Sequence, residues 1–138
     1  MDPKHSTFSE TVLLKNLSEI EEIAEEILAD KEQIKNLDQR RNTNREALTA
    51  LRKCKDEPSS KKSWMCLGGM FIKYPTDSIS DMLLKDQKEL ETEIKNVRDD
   101  LKAKVSKLHQ LEGNQLPKGF DLTALDKEEL SKFTAFQQ

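Results

Sequence analysis

The sequence predicts a mainly α-helical chain: a long antiparallel two-helix coiled coil joined by one β-hairpin, followed by a short C-terminal helix. Three observations predict it. Apolar residues recur in alternating steps of three and four over two long stretches, the pattern of a left-handed coiled-coil seam. Between them lies one short apolar segment, residues 63–75, centred on the adjacent glycines Gly68 and Gly69. Of 138 residues, 36% are charged, 35% hydrophobic and 5% aromatic, too few large apolar side chains for a compact globule but enough for a narrow seam. The length fits a single domain, residues 1–138.

Charge and composition exclude several classes. A net charge of -3 lacks the basic field of a nucleic-acid binder and argues against a membrane-surface protein. No apolar run approaches the roughly 18–20 residues of a membrane span. The start, Met-Asp-Pro-Lys-His-Ser, lacks the apolar centre of a signal peptide. Two cysteines, Cys54 and Cys66, do not make a disulfide framework. The expected location is cytoplasmic or nuclear.

The first helix is expected over about residues 8–54, opened by a Thr7–Glu10 capping box. Its seam runs through Leu13, Ile20, Ile27, Ile34 and Leu48, with Ile23, Leu37 and Leu51 as the second set. About 45 residues at ~1.5 Å each make a rod of roughly 65–70 Å. Asn16, Asp30, Arg41 and Asn44 interrupt the seam. They either set register and partner choice or sit at a frayed edge in water. The basic run Arg40–Arg45 is offset by Glu32, Asp38 and Glu46 and reads as a solvated helix face.

Residues 55–62 read as a polar linker in which Pro58 stops the helix. The hairpin follows over 63–75, with Gly68-Gly69 fitting a type I′ turn. That loop pairs Leu67 with Met70, Cys66 with Phe71, Met65 with Ile72 and Trp64 with Lys73. Side chains alternate between faces. One face then carries Met65, Leu67, Met70 and Ile72; the other carries Trp64, Cys66, Phe71 and the stem of Lys73. A lone two-stranded hairpin is marginal in water and has open edges. Trp64, Met65, Leu67, Met70, Phe71 and Ile72 are therefore candidate subunit-assembly residues; the alternative is a hairpin folded back on its own helices, covering one face. Met65, Met70 and Met82 read as packing residues and Cys66 as a small hydrophobe.

The second helix is expected over about 77–112, capped by Thr76, Asp77, Ser78 or Ser80 and ended by Gly113. Its seam is Leu83, Leu90, Ile94, Val97, Leu101, Leu108 and Leu111, interrupted by Gln87 and Lys104. Antiparallel pairing leaves the first turns of helix one beyond the end of helix two. Phe8, Val12, Leu13 and Leu14 there await a cover. The tail, residues 113–138, with a short capped helix at 126–136, is one candidate. Alternatively Phe8, Val12 and Leu13 contact partners or non-native chains, or the end frays.

The helix–hairpin–helix plan with heptads on both sides resembles the prefoldin β-type subunit family. Ala29–Asp38, Arg41–Leu48, Gly69–Lys73 and Lys118–Leu122 carry the resemblance in order and spacing, covering roughly residues 17–125. The lysine-rich stretch 58–63 and the extreme N-terminus match less clearly. The resemblance implies a non-enzymatic subunit of a prefoldin-like hetero-hexamer, akin to those in the prefoldin-like module of a larger co-chaperone complex. In that family the hairpins form a β-barrel platform and the coiled coils project like tentacles whose tips hold client proteins. The implied partners are other prefoldin and prefoldin-like subunits and clients, with no nucleic acid and no membrane. The alternative is a coiled-coil scaffold that dimerises through its seam. No catalytic, cofactor-binding or metal residues are expected: His5 lies in an end expected to be disordered, and His109 lacks cysteine, histidine or serine partners at site spacing.

Overall fold

The computed structural model describes residues 3–56, 61–114, 116, 118–120 and 122–135; for 3–8 and 133–135 it describes the backbone alone. The elements in order are α1 (Pro3–Lys53), β1 (Lys62–Leu67), β2 (Met70–Pro75), α2 (Thr76–Glu112) and α3 (Lys127–Ala135). Pro58 and Phe136 lie outside the described residues.

Helix α1 begins earlier than the capping box suggested. Its first residue is Pro3, whose fixed φ suits the first helical turn, where its missing N–H is no loss. Thr7 consequently lies inside the helix and is not its cap. Arg52 and Lys53 close the last turn, where cations complement the helix dipole. Its 51 residues make a rod of about 76 Å.

Helix α2 returns antiparallel along α1. The order of the cross-links shows the direction: Arg40 meets Asp86, Asp30 meets Lys104 and Glu19 meets Lys107. The core is correspondingly linear. Ile23 and Ile27 of α1 are buried with Leu90, Ile94 and Val97 of α2, and Leu90 and Ile94 are each only 2% exposed. Fully burying one such side chain stabilises by about 1.5–3 kcal/mol. Ile20, Ile34, Leu37, Leu48, Leu51, Leu83, Leu101 and Leu108 are partly covered along the same seam. Ile79, off the heptad pattern, is also buried, near the hairpin.

The hairpin pairs in the expected register: Leu67 with Met70, Cys66 with Phe71, Met65 with Ile72 and Trp64 with Lys73, continuing to Lys62 with Pro75. Gly68 and Gly69 have φ of 56° and 81°, the left-handed region a type I′ turn demands at both central positions.

The start of α2 differs from expectation. Its N-cap is Pro75, which makes no side-chain cap hydrogen bond. Thr76 is the first helical residue, so neither it nor Asp77, Ser78 or Ser80 is the cap. The Thr76 hydroxyl instead lies 2.8 Å from the Ser63 hydroxyl, and its N–H donates to the Lys61 carbonyl (3.1 Å). These bonds fasten the base of the hairpin to the helix. The far end is a Schellman turn: Gly113 adopts φ 71°, its N–H donates to the Gln110 carbonyl, and the Asn114 N–H donates to that of His109 (2.9 Å). Helix α3 starts with half a capping box, the Asp126 N–H donating to Glu129 Oε2 (3.2 Å).

Candidate assembly and holding surfaces

The hairpin exposes most of its apolar surface. Phe71 is 73% exposed, Trp64 67%, Met70 65% and Leu67 52%. Met65 is the exception: it is partly covered and lines a cleft with Ala47, Leu51, Cys54, Ile79 and Leu83. Ile72, its cross-strand partner, stands at the edge of exposure at 37%. On the opposite face Lys73 Nζ lies 5.9 Å from the centre of the Trp64 ring, a cation–π distance. Both strand edges are open, since the sheet has only two strands among the described residues. Cys66 and Cys54 are exposed, so Cys66 does not pack as a small core hydrophobe within this chain.

Apart from Asn16, the polar interruptions of the seam take part in interhelical bonds. Asp86 of α2 accepts from Arg40 Nη2 at Oδ1 and from Asn44 Nδ2 at Oδ2, both at 2.6 Å. Asn44 is buried, with 9% exposure. Gln87 Nε2 donates to the Arg41 carbonyl at 3.0 Å, while the Arg41 guanidinium turns to Asp38 on its own helix. Lys104 Nζ reaches Asp30 Oδ2 at 2.7 Å and Glu26 Oε2 at 3.5 Å. The hydrogen bond to Asp30 raises the Lys104 pKa; desolvation opposes this, and the charges of Asp30 and Glu26 reinforce it. Asn16 alone among these seam positions is exposed.

The basic run is therefore more than a solvated face. Arg40 flanks the seam and Asn44 lies on it, which brings both to Asp86. Sequence reasoning missed Asp86, Glu26 and the Glu19–Lys107 pair (3.2 Å). The available signal was charge complementarity between positions flanking the two antiparallel seams.

At the distal end Val12, Leu13, Leu14 and Leu17 are 44%, 59%, 66% and 53% exposed. The Phe8 side chain lies outside the described residues. Among the described residues the tail leaves Val12, Leu13 and Leu14 exposed: Thr123 and Ala124 border a cleft beside Glu91, Ile94, Arg98 and Lys102 in the middle of α2. Among the described residues no group of His, Cys, Asp and Glu is arranged to hold a metal ion, and no helix is long and apolar enough to cross a membrane.

Two long helices, a two-stranded hairpin between them and an internally closed seam define a prefoldin-type subunit. The prefoldin subunit family matches residues 14–115, and the chain belongs to that family, a chaperone-related family whose members assemble with other prefoldin subunits. It is similar to the p53 and DNA damage-regulated protein 1 of Homo sapiens, 47% identical over 118 residues, covering 86% of this chain and 87% of the human one. The Bos taurus and Mus musculus proteins of the same name are 46% and 44% identical over the same coverage. No solved structure matches the chain significantly.

Proposed function

We propose that this chain is a non-enzymatic subunit of a prefoldin-like co-chaperone hetero-hexamer, assembling through its hairpin and helping to hold non-native or assembling clients near the free helix ends. Its partners are other prefoldin and prefoldin-like subunits and client proteins, in the cytoplasm or nucleus, without nucleic acid or membrane. The observation that carries this reading is the hairpin. Two open edges and exposed Trp64, Leu67, Met70 and Phe71 make a surface that one chain leaves in water at a cost of about 25 cal/mol per Å² of apolar area. Edge pairing with neighbouring hairpins satisfies both backbone and side chains.

A scaffold that dimerises through its seam fits less well, because Ile23, Ile27, Leu90, Ile94 and Val97 are already buried within the chain. Holding a client needs exposed apolar surface and no bound nucleotide; Val12 and Leu13 offer such surface at the end away from the hairpin. The test is Phe71→Asp in the full chain expressed in cells. Because Phe71 is largely exposed, helix content should be unchanged while co-purifying prefoldin-type subunits fall at least tenfold. An unchanged set of partners would remove the hairpin from assembly.

A further inference from the structure

The distal half of α1 carries a second apolar stripe whose leucines stay exposed beside the α2 seam. Leu14, Leu17, Ala24 and Leu28 follow steps of three and seven then four, and Glu21 fills the missing heptad position. At 100° per residue they lie about a third of a turn from the buried Ile23 and Ile27. Leu14, Leu17 and Leu28 are 66%, 53% and 65% exposed. From Leu14 to Leu28 the stripe spans about 21 Å, long enough for one partner helix of four turns.

Charge restricts what that partner is. Between residues 10 and 30 the helix carries Glu10, Glu19, Glu21, Glu22, Glu25, Glu26 and Asp30 against Lys15 alone. On the α2 side this acidity is matched, because Lys107 meets Glu19 and Lys104 meets Glu26 and Asp30. Glu21 and Glu25 are exposed on the other side, along and beside the leucine stripe, and Glu22 is exposed further round the helix. Lys31 and Lys35 follow the stripe and end its acidic character. A second copy of the same stripe would set acid against acid, so homotypic pairing is disfavoured.

We infer that the outer face of α1 around Leu14, Leu17, Glu21 and Leu28 docks a basic amphipathic helix, with apolar anchors at three–four spacing flanked by lysine or arginine. The in-chain precedent is the distal half of α2, which uses the same chemistry, leucine and valine anchors with lysine flanks, to pair with the other side of this helix. Leucines fill the spaces along the stripe, and the flanking cations meet Glu21 and Glu25, as in helix-in-groove recognition. This surface is lateral. It is distinct from the hairpin and from the Val12 side of the tip, so it does not depend on client holding.

The test uses the full chain and three synthetic, fluorescently labelled 20-residue probes: a leucine-striped helix with lysine flanks, the same stripe with glutamate flanks, and a scramble of the lysine probe. Anisotropy at about 50 mM salt should show saturable binding of the lysine-flanked stripe and at least tenfold weaker binding of the other two, with affinity falling as salt rises. The exposed-site variant Leu17→Lys/Leu28→Lys should weaken binding at least tenfold, and Glu21→Lys/Glu25→Lys at least fivefold, with circular dichroism unchanged in both. Val12→Lys should leave it within twofold. Equal binding of the scramble, loss with Val12→Lys but not with the leucine variant, or a chain that is dimeric until Leu17→Lys/Leu28→Lys separates it would each overturn the inference.

Discussion

Asp86 joins the two helices where the seam is least apolar. Its carboxylate satisfies a buried amide, Asn44, and a largely exposed guanidinium, Arg40, so the two halves of the arrangement are worth different amounts. An exposed ion pair contributes about 0–1 kcal/mol, whereas a buried polar group left without its partner costs about 1–3 kcal/mol. Asp86→Ala should therefore destabilise the chain by about 1–3 kcal/mol and Arg40→Ala by less than about 1, compared by urea unfolding of the full protein. Equal effects would mean that Asn44 finds another partner. Lys104 gives a pH signature. Its folded pKa lies above the ordinary lysine value, held up by the Asp30 hydrogen bond and the Asp30 and Glu26 charges. A raised lysine pKa contributes stability that is complete below the unfolded value, near 10.4, and is lost as pH climbs through the folded value. The stability difference between wild type and Lys104→Met should thus be constant from pH 7 to about 9 and shrink only above about pH 10.4.

The hairpin shows how a local rule fixes an element. Gly68 and Gly69 stand in left-handed conformations with open space where a Cβ would be, so substitution is penalised by backbone conformation and not by a clash. Gly68→Asn, which tolerates that conformation, should be nearly neutral. Gly68→Val should cost about 1–2 kcal/mol and broaden the amide signals of residues 64–73 in NMR spectra as the register loosens. The two-residue loop also explains why this register was readable from sequence: fixing the turn fixes every pair behind it. Heptad spacing likewise pointed to Ile23, Ile27, Leu90, Ile94 and Val97. Helix starts were less legible. Helix α1 starts at Pro3, ahead of the Thr7–Glu10 pair, and the Thr76 hydroxyl pairs with that of Ser63, a partner 13 residues away. The Asp86 arrangement was hard to read for the same reason, since Asn44 and Arg40 lie 42 and 46 residues from it and reach it only once the two helices are set in register.

In the whole molecule, each part leaves a different surface for others. The seam is closed by the chain's own second helix, so the arms need no partner to stay helical along most of their length. The hairpin at one end is apolar and open, and α1 extends past α2 at the other. The proposed function places assembly at the first and holding at the second; the inferred docking stripe would add a third surface between them. Assembly through the hairpin is the claim on which the rest depends. Its most direct measurement is the native mass and composition of the complex recovered from cells under gentle conditions with this chain as bait. A multi-subunit assembly of hexamer size containing prefoldin-type subunits, reduced to the free chain by Phe71→Asp, is the predicted result. A lone monomer, or a complex of the same mass and membership with Phe71→Asp, would contradict it.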